Sequence, residues 1–336
     1  MMATLAAPIA RADGTAYAAA NSVAALYDSA AHGRVWMRDR DRAALLHRLS
    51  TNHIERLTPG QGTQTVLTTP IGRIIDLLTV YVFDEALLLV TSPSRGQAIF
   101  NYLRKNIFFN DKVKLEDATA TLGQLTLYGP QAPALLAELG LPGADLPAFA
   151  VATASWGDEP LYVARTRPIG GEGFNLIAPP QALAGLAEAL RARGTATLDE
   201  ATHEVLRVEQ GYGAYGRELS QEYIPLETGL WGAVSFNKGC YVGQEIIARM
   251  ESRGRLAKQL RGLRLLAQPA LPPEPPTPLA KLDAAGKEAG DLTSVVESPR
   301  HGLIALAYVR TAYAEPGTRL IAAGAEAEVV ALPFGS

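Results

Sequence analysis

Residues 237–255, NKGCYVGQEIIARMESRGR, hold the only cysteine of the chain, Cys240. Lys238 stands two residues before it, Gly239 adjoins it and Gly243 follows three residues later. Glycines at these spacings allow a tight turn and a close approach of backbone to a ligand. Residues 244–250 read as helical, which places Cys240 near a helix N-terminus with Lys238 and Arg249 as nearby cations. Such surroundings favour the thiolate. A thiolate of this kind supports reversible redox chemistry, or transient cluster binding completed by ligands from a second molecule. The alternative is a small buried hydrophobe, a common fate of free cysteine. Residue types alone leave both open.

The elements that must position this segment come from a chain of 336 residues, 48% apolar and 19% charged. That length suits about two domains, or three small ones, and the apolar content excludes a mainly disordered chain. With 31 Lys+Arg against 34 Asp+Glu, the net charge of −3 lacks the basic excess of a nucleic-acid binder. One cysteine excludes an intramolecular disulfide and favours a reducing compartment. With five scattered histidines, it also excludes a thiolate-rich zinc or iron–sulfur site built within one subunit. The opening MMATLAAPIARADG has no basic residue before Arg11 and does not read as a signal peptide. Asp76, Asp84 and Glu85 interrupt the most apolar stretch, 74–91, which is therefore no membrane span. A soluble, cytoplasmic protein with neither nucleic-acid nor membrane partners is expected.

Periodicity supplies the local elements. Leu45, Leu46 and Leu49 fall at helical spacing over 42–49, and 94–105 reads as an amphipathic helix. Strands are expected at 63–69, 74–82 and 86–91, the last two as a hairpin over Asp84-Glu85. Further strands are expected at 113–117, 124–128, 161–166 and 174–177, and helices at 130–139, 181–193 and 200–210. QPALPPEPPTPL, residues 268–279, has six prolines and reads as a semi-rigid connector. Short strands at 290–297, 303–309 and 319–322 suggest a small antiparallel barrel or sheet.

The string Lys238-Gly239-Cys240-Tyr241-Val242-Gly243-Gln244-Glu245 matches K-G-C-Y-x-G-Q-E, the signature of YgfZ-type proteins. That family is similar to the T-protein of the glycine cleavage system and includes mitochondrial iron–sulfur assembly factors. Leu206-Arg207-Val208-Glu209-Gln210-Gly211, Tyr215-Gly216-Arg217-Glu218-Leu219 and Pro225-Leu226-Glu227-Thr228-Gly229-Leu230 resemble consecutive T-protein motifs. Leu26-Tyr27-Asp28, Leu49-Ser50-Thr51-Asn52 and Gly72-Arg73-Ile74-Ile75-Asp76 fit the same pattern in order. The resemblance, over roughly residues 20–330, implies an α+β fold. In it, a GcvT-like ring of two α+β domains surrounds a folate-sized central site, and a C-terminal antiparallel β-barrel follows. The expected boundaries are 20–145 for the N-terminal folate-binding domain and 146–266 for the second domain with the KGCYVGQE motif. A proline-rich linker, 267–280, and the barrel, 281–336, complete the chain.

The resemblance also implies tetrahydrofolate, or a derivative, as cofactor. It assigns Glu209 to the pterin ring, whose 2-amino-4-oxo edge offers two N–H donors to a carboxylate. The alternative is a glutamate on a solvated helix face. Asp76 lies where T-proteins carry two consecutive acids, and Leu77 replaces the second. Asp76 is therefore either a proton-handling group or a strand-end acid with a structural partner. Asn52, Tyr215 and Lys238 are expected beside the folate, with Tyr212, Trp231 and Phe236 as further stacking candidates. Arg249 heads a basic cluster with Arg253, Arg255, Lys258, Arg261 and Arg264. Such a cluster attracts a folate glutamate tail or an acidic partner, unless it is a solvated face. Pro168 stands where T-proteins have a tyrosine, and Glu172 is what remains of an acidic pair.

Three functions follow. One is a tetrahydrofolate-binding accessory protein in iron–sulfur cluster assembly or repair, with Cys240 as the reactive thiol and iron–sulfur client or assembly proteins as partners. The second is a folate-dependent aminomethyltransferase, against which Leu77 and Pro168 count. The third is a non-catalytic folate scaffold. The octapeptide favours the first.

Overall fold

The Thr/Val-rich stretch of the sixties and the apolar run that follows it form neighbouring strands of a five-stranded antiparallel sheet. Its order is Gly62–Thr68, Ile74–Val82, Ala86–Pro93, His32–Arg38 and Lys114–Asp117. The hairpin over Asp84-Glu85 pairs Val82 with Leu87. Helices Arg42–Leu49 and Gly96–Lys105 cover the sheet, bringing Leu45, Leu46, Leu49, Ile99 and Leu103 into its core. Each such side chain, fully buried, contributes roughly 1.5–3 kcal/mol.

The computed structural model describes residues 9–254, 256–272 and 276–335. Residues 1–8, which carry most of the opening segment, lie outside the described residues, as do 273–275 of the proline-rich stretch, Arg255 and the Arg253 side chain. The chain divides into two units: a sheet unit of Thr15–Leu198 with Gly232–Gln244, and a barrel unit of the residues through Gly14, Asp199–Trp231 and Glu245 onward.

The sheet unit holds a second, six-stranded sheet in the order Ala196–Leu198, Ala25–Asp28, Gly123–Tyr128, Glu172–Ala178, Glu159–Ile169 and Val151–Trp156. Its pairs are antiparallel except the first, which is parallel. Helices Ala132–Glu138 and Pro180–Arg191 pack on it through Leu135, Leu136, Leu183, Leu186 and Leu190. Trp36, Tyr81 and Leu88 of the first sheet meet Val151, Ala164 and Ile177 of the second in one apolar cluster. A buried polar chain crosses beside it. Asn175 Nδ2 donates to Tyr81 Oη (2.9 Å), and Thr126 Oγ1 donates to Asn175 Oδ1 (2.9 Å).

In the barrel unit, six antiparallel strands close on themselves. The circuit runs Lys258–Leu265, Gly302–Arg310, Lys287–Ser298, Ala280–Ala284, Arg319–Ala322 and Ala325–Val330, which returns to Lys258–Leu265. Closure leaves no free edge among these six. Lys258–Leu265 precedes the proline-rich stretch, which therefore lies between two strands of one barrel, at a boundary different from the expected 281. A two-residue strand, Ala10–Arg11, adds in parallel at Val296 and Glu297. Helix Glu200–Glu209 opens at Asp199, whose side chain accepts from Thr202 N (2.7 Å) as an N-cap. Among the described residues, no helix is long and apolar enough to cross a membrane.

Candidate functional site

The cysteine-bearing segment 232–244 has little regular structure of its own, so its backbone groups must find partners elsewhere. They find them on the sheet unit. Thr51 Oγ1 donates to Ala233 O (2.6 Å), Ser235 N donates to Thr51 O (2.9 Å), and Thr68 Oγ1 donates to Val242 O (2.5 Å). Val242 N donates to Arg48 O (3.3 Å). Gly243 takes φ +84°, and a Cβ there would lie 2.7 Å from Thr69 O and 2.9 Å from Gly72 Cα. Only glycine lets the strap lie this close. Cys240 itself is exposed, which excludes the buried-hydrophobe alternative. The helix that follows it begins at Gln244 and runs to Arg253.

The two cations expected near the thiol have other partners. Lys238 is 8% exposed, and its Nζ donates to the carbonyls of His47, Ser50 (2.7 Å) and Asn52 (2.8 Å). Burial pushes its ammonium down to about 8. Arg249 is half-exposed and pairs with Glu245 one turn earlier, at 2.6 Å. The Asn52 side chain is likewise engaged. Its Nδ2 donates to Gln64 O (2.8 Å) and Gly232 O (3.0 Å), and its Oδ1 accepts from His53 N (2.8 Å).

Asp76, on the strand Ile74–Val82, is fully buried. Its Oδ1 accepts from Leu77 N (2.9 Å) and its Oδ2 from Ser92 N (3.3 Å). Burial pushes the carboxyl up to about 6, against the pull of the Ser92 hydrogen bonds and Arg95. Such a group changes protonation close to neutral pH. Leu77, at the place of the second acid, is buried and leaves that position apolar. Downstream, Arg165 pairs with Glu172 across the hairpin whose first strand, Glu159–Ile169, carries Pro168 near its end.

In the barrel unit, Glu209 ends the helix that Asp199 caps. It is 4% exposed, so it does not belong to a solvated helix face. Its Oε1 accepts the Ser298 hydroxyl, and its backbone carbonyl accepts from Phe334 N (2.8 Å). Two residues earlier, Arg207 joins a network that the sequence reading did not single out. Its Nε donates to Glu204 (2.7 Å), its Nη1 to Glu218 (3.2 Å) and its Nη2 to Ser294 Oγ (2.7 Å). Arg217 grips Glu204 from the other side at 2.7 and 2.9 Å. Burial works to raise Glu204, but the two arginines bring it down to about 2. The Glu204–Arg207 spacing of one helical turn was the available signal; Glu218 and Ser294 lie too far along the chain to be read.

The remaining candidates are spread out. Tyr215 is 37% exposed in a loop bridged to Leu219. Trp231, 47% exposed, lines a cavity of about 290 Å³ with Glu227, Met250, Leu260 and Arg261, all of the barrel unit. Phe236 is exposed on the strap. Lys258 faces Asp291 (3.5 Å) and the Tyr223 ring, Arg261 donates to Ala314 O (3.0 Å), and Arg264 is exposed. The basic cluster is thus divided between a helix and a barrel strand.

Comparison with known proteins matches the GCVT N-terminal domain to residues 9–238. The glycine cleavage T-protein C-terminal barrel domain matches residues 258–334. A protein of Arabidopsis thaliana named "Putative transferase At1g60990, chloroplastic" is 35% identical over 85% of this chain. The chain spans less than two thirds (65%) of that plant protein's length. An aminomethyltransferase of Streptomyces coelicolor is 30% identical over 95% of this chain and 88% of its own length. The crystal structure of glycine cleavage system aminomethyltransferase T from Bartonella henselae superposes with a TM-score of 0.84, covering 95% of this chain and 88% of that one. At 24% identity, this likeness shows the fold.

Proposed function

Since the chain belongs to the glycine cleavage T-protein family, we propose that it binds a tetrahydrofolate and acts in folate-dependent one-carbon transfer of the aminomethyltransferase kind. Support comes from the relatives named aminomethyltransferase and from the donor chemistry on the chain. The Glu209 carboxylate, buried at a helix end, suits the N–H edge of a pterin and would hold it. A reduced folate supplies a nitrogen that carries the one-carbon unit. The single observation that carries the transfer reading is Asp76: a buried carboxyl raised to about 6 can both take and give a proton near neutral pH. The test is turnover of a methylamine-loaded lipoyl carrier protein by the purified chain, run beside a tetrahydrofolate titration. Turnover that disappears in Asp76→Asn supports the reading; tight folate binding without turnover defeats it. Glu209→Ala should weaken the folate affinity in calorimetry, and an unchanged affinity removes that residue from the site.

A second reading keeps the folate and changes the task. In it the protein is an accessory factor in cytoplasmic iron–sulfur cluster assembly or repair, with Cys240 as the reactive thiol and client or assembly proteins as partners. It is favoured by the exposure of Cys240 within the YgfZ-type octapeptide and by the apolar Leu77 at the second acid's place. A lone thiol does this work only with a second molecule's help. Cys240→Ala should then bind folate normally yet fail to restore iron–sulfur enzyme activity in cells lacking the endogenous factor. Full restoration would sink this reading.

A further inference from the structure

Helix Arg42–Leu49 ends without glycine. Its C-cap, Ser50, is extended at φ −131° and ψ 164°, so no left-handed cap closes the last turn. The final carbonyls of such a helix need donors from elsewhere. Ser50 Oγ donates to Leu46 O (2.8 Å), and Val242 N donates to Arg48 O. The His47 and Ser50 carbonyls, with that of Asn52 just beyond, converge on Lys238 Nζ. An ammonium has three N–H donors, and here three carbonyls take them. Its charge also sits at the negative end of the helix dipole. Lys238, read from sequence as a folate contact, therefore has its donor capacity committed inside the protein.

The attachment points bracket the thiol. Two residues before Cys240, Lys238 fastens the strap to this helix end; two residues after it, Val242 fastens to the same turn. We infer that Lys238 is a positioning residue for Cys240: a helix cap supplied from a distant part of the chain that fixes the strap on which the thiol is exposed. The functional consequence rests on the second reading above, in which Cys240 is the reactive thiol. The anchoring itself does not depend on it.

The test compares Lys238→Met, Lys238→Arg and Cys240→Ala in the full chain. Four measurements apply: circular dichroism, hydrogen exchange at the Val242 amide, tetrahydrofolate titration, and restoration of iron–sulfur enzyme activity in cells lacking the endogenous factor. Lys238→Met should keep the fold and the folate affinity while Val242 exchange rises about tenfold or more, since charged hydrogen bonds to three carbonyls are lost. Restoration should fall with it, and Lys238→Arg, which keeps the charge and donors, should recover part of both. Unchanged Val242 exchange in Lys238→Met overturns the inference, as does weakened folate binding. Faster exchange with full restoration, where Cys240→Ala fails, also overturns it. Full restoration by Cys240→Ala is the separate result that removes the second reading, and the exchange measurement then still decides the anchor.

Discussion

Arg207 in the barrel unit and Lys238 in the sheet unit are buried to similar degrees, 5% and 8% exposed, and are accommodated by opposite means. Arg207 lies among carboxylates, Glu204 and Glu218, with Arg217 closing the set. Lys238 donates to carbonyl oxygens, and Arg34 of the same unit repeats the pattern on Ala30 O and Thr119 O. Asp76 is the anionic counterpart in the sheet unit, held by backbone N–H groups. Around Arg207 buried charge is settled with opposite charge; around Lys238 and Arg34 it is settled with backbone dipoles. The difference decides what remains when one member is removed. Loss of a cation from an ion network leaves an uncompensated buried carboxylate, whereas loss from a carbonyl cage leaves neutral acceptors.

The largest effect should therefore come from Arg207→Met. It strands Glu218, which has no exposed surface, and should cost about 3–5 kcal/mol. Urea unfolding followed by hydrogen exchange within Glu200–Glu209 measures it; a loss no greater than that of Lys238→Met would erase the contrast.

Acidity should separate the units next. Glu204 is lowered to about 2 from 4.5, so its stabilisation is present above about pH 4.5 and lost as pH falls toward 2. The shift corresponds to about 3 kcal/mol. Asp76 is raised from 3.8 to about 6, and the sign reverses. Its contribution is complete below about pH 3.8 and is lost as pH rises through 6, again by about 3 kcal/mol. Asp76→Asn should flatten stability between pH 4 and 7 in the sheet unit, and Glu204→Gln should flatten the acid limb of the barrel unit. Denaturation curves from pH 3 to 8, with probes in each unit, would show whether the two slopes oppose.

The smallest effect tests the helix that carries both Arg207 and Glu209. Asp199→Ala removes the hydrogen bond to Thr202 N and should cost about 1 kcal/mol. Thermal unfolding of the variant would register this as a modest drop; no drop would mean that the ion network alone holds the helix start.

Local pattern carried much of the fold. Leu45, Leu46 and Leu49 marked their helix, and Asp84-Glu85 marked the hairpin, because both depend on near neighbours. The strand Lys258–Leu265 was harder to see. Lys258, Arg261 and Arg264 stand on it, and their charges read as a basic cluster before they read as a barrel strand. The site was legible by motif and not by contact. The octapeptide pointed to Cys240, but neither its exposure nor the grip on Lys238 follows from residue types. The carbonyls that hold Lys238 lie 186 to 191 positions away. Glu209 meets Ser298 across 89 positions, which is why a solvated helix face remained open until the fold was known.

The parallel pairing of Ala10–Arg11 with Val296 and Glu297 has a consequence for how the chain is made. During synthesis this segment leaves the ribosome long before its partner exists. At about 5–20 residues per second, some 286 residues of elongation leave it waiting roughly 15–60 s. The sheet unit has a shorter wait of the same kind, since its helix end at Ser50 meets Lys238 only after residues 199–231 of the barrel unit have been made. Each unit is completed by a late arrival, so a ribosome that stalls before residue 238 releases a chain whose sheets can pair but whose helix 42–49 still lacks its cap.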